Sequence, residues 1–253
     1  IVVSWDQRGC GLSLQKYPRA DSISLAQLLS DAHDLTRMLQ KKFGQRKIYL
    51  AGFSWGSILG LKLVETYPED YAAYFAISQV LSLNKNIGTS RAWIRKQALM
   101  HGDRATIRQL DRIEKKDTAV CKRPIDCFLA QFQLLNKYHG AIYRSESDSA
   151  IEKSMTAYAD YRNYDWMGGF LHSAYRMEKE LFSIDLSGPA ELKVPAYFLM
   201  GRHDWNVPSE VTLPFINALK APQKEVIWFE NSGHEPLEEE AAKFNETLIS
   251  RIR

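Results

Sequence analysis

Apolar residues along this chain come in two rhythms. Short continuous runs have the length and β-branched or aromatic content of strands buried on both faces. They are Ile1–Trp5, Lys47–Ala51, Tyr71–Ser78, Pro195–Met200 and Glu225–Phe229. Between them, apolar positions recur at helical spacing. Leu25, Leu28, Leu29, Ala32, Leu35, Met38 and Leu39 form one stripe. Ser24 with Gln27 has capping-box spacing at its start, and Gly44 predicts its end. A second, more apolar helix is expected from about Ser57 to Tyr67, stopped near Pro68, and an amphipathic helix should close the chain after Pro236.

Strands alternating with helices predict a parallel sheet wrapped by helices. From about Val80 to Leu192 the strand signal fades. Trp93, Ile94, Ala98 and Leu99 suggest one helix; Ile107, Leu110 and Ile113 a second; Phe128 to Tyr138 a third. The expected organisation is a core in two parts, residues 1–79 and 193–253, interrupted by a helical insertion over 80–192.

Composition narrows the class. The chain has 253 residues, 45% hydrophobic and 25% charged, with a formal charge of +3. That suits a globular protein with a sizeable core. No basic run or aromatic-basic stripe points to nucleic acid. No apolar stretch approaches the roughly 18 residues of a membrane helix. Three cysteines, Cys10, Cys121 and Cys127, show no metal-ligand spacing. They read as free thiols in a reducing, cytoplasmic setting, whereas a Cys121–Cys127 disulfide would need an exported protein. The first residue is Ile1, not Met, so any signal peptide is expected upstream.

The chemistry gathers where predicted strands end. Gly52-Phe53-Ser54-Trp55-Gly56 joins a strand to a helix. That context suits a nucleophile elbow, a sharp turn exposing the serine oxygen. Gly52 and Gly56 are expected to let strand and helix approach closely. The backbone amide of Trp55 lies where an oxyanion would form, at a helix N-terminus that favours negative charge.

A serine hydroxyl needs a base, and the base needs an orienting acid. Asp204 follows the fourth predicted strand and His234 the fifth, in the order serine, acid, histidine. Ligand sites of parallel sheets form at that edge. His203 is a rival base on the wrong side of the acid in chain order. His33, His101, His139 and His172 read as helix-borne histidines. Asp6, after the first run, is a rival acid, although an Asp6–Arg8 ion pair bracing the glycine-rich turn is the preferred reading. Fingerprints for hydride or phosphoryl transfer are missing, and a serine at 54 excludes an aspartate nucleophile.

Trp5-Asp6-Gln7-Arg8-Gly9-Cys10-Gly11-Leu12-Ser13, Gly52-Phe53-Ser54-Trp55-Gly56-Ser57, Gly201-Arg202-His203-Asp204 and Ser232-Gly233-His234 together resemble the proline iminopeptidase family. The resemblance implies an α/β-hydrolase fold with a helical cap insertion. It implies a serine hydrolase releasing an N-terminal residue from a peptide, without metal or cofactor. A carboxylesterase or lactonase on the same triad, and a non-catalytic binding protein on a hydrolase scaffold, are the alternatives. The partner is then a small peptide or ester substrate, with neither nucleic acid nor membrane involved. The family holds the substrate ammonium with cap carboxylates; Arg176-Met177-Glu178 looks similar, making Glu178 and Glu180 candidates. Their other reading is a solvated helix face beside Lys179. The resemblance also places a His-Gly-Gly-Pro-Gly type oxyanion loop, and the strand beside it, before Ile1. The N-terminal strands are therefore expected to be missing and the chain to be a fragment, with a gap between Ile1–Trp5 and Lys47–Ala51. Slower hydrolysis is expected to follow, since one oxyanion donor is worth about 10²–10³ in rate.

Overall fold

The computed structural model describes residues 1–16, 23–144 and 165–252. Its sheet has four strands in the order β1 (Ile48–Phe53), β2 (Tyr71–Ile77), β3 (Ala196–Gly201) and β4 (Lys224–Phe229). All three pairings are parallel. Every residue of β3 is buried, and all of β2 except Ala72, as continuous apolar runs require between two helical layers. The edge strands β1 and β4 are only partly covered.

The helices, in chain order, are α1 (Gly11–Lys16), α2 (Leu25–Phe43), α3 (Trp55–Thr66), α4 (Leu83–Met100), α5 (Arg104–Glu114), α6 (Pro124–Lys137), α7 (Trp166–Ser183), α8 (Ser209–Ala218), α9 (Pro236–Glu239) and α10 (Ala241–Arg251). One sheet face packs on Leu61 and Val64 of α3 and Phe215 and Ile216 of α8. The other packs on Leu237 of α9 and Phe244 and Leu248 of α10. Helices α4 to α7 follow β2 and precede β3, and residues 145–164 of the expected insertion lie outside the described residues. Ile94, Leu110, Ile113, Leu134 and Leu135 give α4, α5 and α6 a core of their own. No helix among the described residues is long and apolar enough to cross a membrane.

Helix α2 starts and stops where its signals lie. Ser24 accepts from the Gln27 amide, and Gly44 adopts the left-handed C-cap. Its buried face, however, runs through Leu28, Ala32, Thr36 and Gln40, while Met38 of the expected stripe is mostly exposed. The polar positions are buried because they have partners. Thr36 bonds the Tyr71 hydroxyl at 3.0 Å, and Gln40 donates to the buried Asp70 carboxylate at 3.1 Å. A buried amide with a partner avoids the cost of an orphaned one.

Four expectations need correction. Ile1–Trp5 is not a buried strand: Ile1 and Val2 are almost wholly exposed, and no strand among the described residues pairs with the segment. Apolar composition makes a strand only where a neighbouring edge satisfies its amides and carbonyls. Asp6 and Arg8 do not pair. Arg8 makes a bidentate bond to Asp31 at 2.8 Å, and the Asp6 carboxylate accepts from the Leu12 amide at the start of α1. The closing helix is broken at Glu240 into α9 and α10, and the Glu240 carboxylate holds the Asn231 amide and Ser232 hydroxyl. Finally, Cys121 and Cys127 form a disulfide ahead of and within α6, leaving Cys10 as the free cysteine. Six residues of separation bring the two sulfurs together locally, which spacing alone could not reveal. Thiol titration of unfolded, unreduced protein is expected to count Cys10 alone, and all three cysteines after reduction. Closing so short a loop stabilises by about 2 kcal/mol. A count of three before reduction would refute the bond.

Candidate active site

Ser54 is the single residue between β1 and α3, with φ 49° and ψ −118°. A side chain at positive φ is strained and persists only where its surroundings over-determine it. Here the Ser54 amide donates to the Ile77 carbonyl at the end of β2 (2.9 Å), and its carbonyl accepts from the Ser57 amide (2.9 Å) and hydroxyl. Gly52 makes the turn possible. A Cβ there would lie 2.6 Å from the Gly56 carbonyl oxygen and 2.9 Å from the Ser57 Cα. Both are backbone and cannot swing aside. Gly56 itself has open space where a Cβ would go, so the close approach rests on Gly52 alone. Gly52→Ala is expected to cost about 1–3 kcal/mol of stability through overpacking, with a matching loss of turnover. Gly56→Ala should do neither. Thermal unfolding and kcat of the two variants make the comparison.

Asp204 and His234 reach Ser54 from the ends of β3 and β4. His234 Nδ1 lies 2.9 Å from Asp204 Oδ2, and its Nε2 lies 2.9 Å from Ser54 Oγ. Both side chains are buried. The second oxygen of Asp204 accepts from the amides of Asn206 (2.9 Å) and Val207 (2.7 Å), so the carboxylate is fixed from two sides. The His234 amide donates to the Ala141 carbonyl at 2.6 Å, its carbonyl accepts from the Ser78 hydroxyl at 2.8 Å, and Phe53 packs against the ring. Burial pulls the His234 pKa down. The Asp204 charge and hydrogen bond, helped by Glu235 and Glu239, more than offset it, and the net direction is upward from the ordinary value of 6.5.

Trp55 is the first residue of α3, so helical geometry leaves its amide without an intrahelical acceptor. It lies one peptide from Ser54 at the positive end of the helix. Its side chain packs against the cluster of Ile58, Val80 and Val207, joining the start of α3 to the loop after Asp204.

The rivals lie elsewhere. His203 stacks on Tyr143 at 3.5 Å between centroids and donates its backbone amide to Ser232. His33 pairs with Asp70, and His101 stacks on Tyr138. Among the described residues no group of three or more His, Cys, Asp or Glu side chains could hold a metal ion.

Glu178 and Glu180 are engaged in a different way from the expected ammonium clamp. Glu178 accepts from the Ile125 amide at 3.0 Å and pairs with Arg123 at 3.4 Å. Glu180 accepts from the Leu25 amide at 2.7 Å. Each carboxylate therefore caps the start of a helix, α6 or α2, where orphan amides and the helix dipole favour an anion. Met177, just before Glu178, packs on Leu28 and Leu59 and fixes α7 over α3.

Sequence reasoning missed the groups that hold the His234 loop from behind. Ser78, with φ 48°, and Glu239 are the main ones. The run Glu238-Glu239-Glu240 just after His234 was the one available signal, and it reads equally as a solvated helix face.

Comparison with known proteins fits this geometry. The family model described as serine aminopeptidase, S33, matches residues 1–241. The chain belongs to that family. A relative from Bacillus subtilis (strain 168), named probable aminopeptidase YbaC, is 32% identical to this S33 chain over 257 residues, covering all of it and 80% of the relative. Among solved structures, an alpha/beta fold family hydrolase from Bacillus anthracis str. Sterne matches 90% of the S33 chain and 74% of its own, with a TM-score of 0.57 and 17% identity. The esterase EaEST from Exiguobacterium antarcticum matches 96% and 78%, with a TM-score of 0.56 and 15% identity. At such identity these structures speak for the fold alone, and the fold is that of an α/β-hydrolase.

Proposed function

We propose that this S33 family member is a serine hydrolase working through an acyl-enzyme, with Ser54 as nucleophile, His234 as base and Asp204 as orienting acid. The observation that carries the reading is the unbroken chain from hydroxyl to imidazole to carboxylate, 2.9 Å at each step. A hydroxyl at that distance can pass its proton to Nε2 as it attacks a carbonyl. Asp204 holds the proton on Nδ1, which leaves Nε2 free to accept. The Trp55 amide stabilises the oxyanion. His234 then protonates the departing group, and water resolves the ester on Ser54.

For substrate we infer an aminopeptidase of proline iminopeptidase type, releasing an N-terminal residue from a peptide. The family description and the aminopeptidase name of the Bacillus subtilis relative support this. One observation favours a second reading. With Glu178 and Glu180 capping helices, neither candidate carboxylate is reserved for a substrate ammonium, and an esterase or lactonase needs none. Hydrolysis of proline naphthylamide set beside a p-nitrophenyl ester separates the two. Turnover of the amide, lost when the substrate amine is acetylated, is the expected result. Turnover of the ester alone would sink the peptidase reading and leave the hydrolase reading intact. A correctly folded protein that neither turns over substrate nor takes up a fluorophosphonate at Ser54 would favour a binding role instead.

A further inference from the structure

We propose that Glu239 is a positioning residue for the base, tying the His234 loop to residues 140–144; the inference rests on the serine hydrolase reading. Glu239 ends α9 and is 6% exposed. Its Oε1 accepts from the Gly233 amide at 2.6 Å, the residue immediately before His234. Its Oε2 accepts from the amides of Tyr143 at 2.9 Å and Arg144 at 3.1 Å. The carboxylate thus gathers three backbone donors from two stretches of chain that no strand pairing joins.

Those two stretches meet again at the site itself. The His234 amide donates to the Ala141 carbonyl, and the Trp205 amide to the Gly140 carbonyl at 2.8 Å. The Tyr143 ring lies flat on His203, next to Asp204. Residues 140–144 therefore touch both the acid loop and the base loop, and Glu239 locks them in place. The contact is tight. A Cβ on Gly233 would collide with the Ala141 carbonyl. Small movements here pass directly to the imidazole, whose two 2.9 Å bonds leave little room for misplacement.

A buried carboxylate with three charge-assisted bonds is a far stronger anchor than neutral contacts of the same number. A glutamine in its place keeps one acceptor oxygen and turns its NH₂ toward an amide donor, so at least one donor loses its acceptor. Glu239 also adds to the negative field that raises the His234 pKa. Its loss therefore has two consequences at the base, one geometric and one electrostatic. Burial raises the pKa of Glu239 itself, and its backbone hydrogen bonds, which favour the carboxylate, oppose that rise.

The experiment is E239Q with E239D beside it, measured on the ester or amide that the wild type turns over. For E239Q we expect kcat to fall on the order of 10- to 100-fold, the loss that misplacing a reacting group by about an ångström brings. KM should stay within about twofold, because no substrate contact is removed. The acid limb of kcat/KM against pH should move to lower pH, since one source of the raised histidine pKa is gone. E239D keeps the charge but shortens the reach, so it should lose kcat with a smaller shift of the acid limb. A folded E239Q with kcat and acid limb both unmoved overturns the proposal. So does failure of both variants to fold, which would make Glu239 a stability residue only. An inactive wild type that resists a fluorophosphonate would instead remove the hydrolase reading beneath it.

Discussion

Replacing Ser54 with alanine is expected to lower kcat by about 10⁶, close to the loss from removing a whole triad, while KM and thermal stability stay nearly unchanged. The reason is that the hydroxyl acts at one point only. Its Oγ bonds to His234 Nε2, and none of the bonds that shape the elbow involves it. The turn is held by the Ser54 amide on Ile77, by the Ser54 carbonyl, and by the close packing at Gly52, all of which alanine keeps. Alanine at φ 49° is strained to a similar degree as serine, so the backbone has no new reason to move. Steady-state kcat and KM, with thermal unfolding of the same samples, check both halves of the claim. Activity of Ser54→Ala within tenfold of wild type would place the nucleophile elsewhere and undo the mechanism.

Asp204→Asn is expected to lower kcat by about 10⁴, because an amide facing Nδ1 favours the tautomer that leaves Nε2 protonated and unable to accept from Ser54. The pH dependence carries a second signature. His234 must be neutral to act as base, and its pKa is raised above 6.5. Wild-type kcat/KM should therefore climb with pH through a midpoint above 6.5. Burial alone lowers that pKa, and the Asp204 charge and hydrogen bond supply the main opposing effects. Removing them lets burial win, and the midpoint should fall. The penalty of the substitution is then smaller in acid, where wild-type His234 is protonated and the variant's is not. Profiles of kcat/KM for the two proteins test this. A midpoint that stays in place would mean the Asp204 charge does not govern the imidazole.

How far the site could be read in advance depended on how local each cause was. Ser24, Gln27 and Gly44 set the ends of α2 by contacts within a turn, and those ends are found as expected. Ser54 could be named because a strand-to-helix turn restricts which residues fit, and Asp204 and His234 because each follows a strand at one sheet edge. Arg8, Glu178 and Glu180 were read less well. Their partners are Asp31, Ile125 and Leu25, and which neighbour a charged group finds depends on how distant segments pack.

The amino-acid pattern by itself determined the parallel α/β architecture, the sharp strand-to-helix turn at Ser54 and the placing of Asp204 and His234 after later strands. Periodicity, glycine placement and strand length act over a few residues, and each leaves its mark in the local sequence. Only the tertiary structure decided that His234 spans Ser54 and Asp204 at 2.9 Å on either side, that two candidate substrate carboxylates cap helices, and that Glu239 joins Gly233 to Tyr143 and Arg144. Those outcomes turn on hydrogen bonds between residues as much as 180 positions apart. Such bonds form only after the sheet and its helices have brought the loops together, and no short stretch of sequence encodes them.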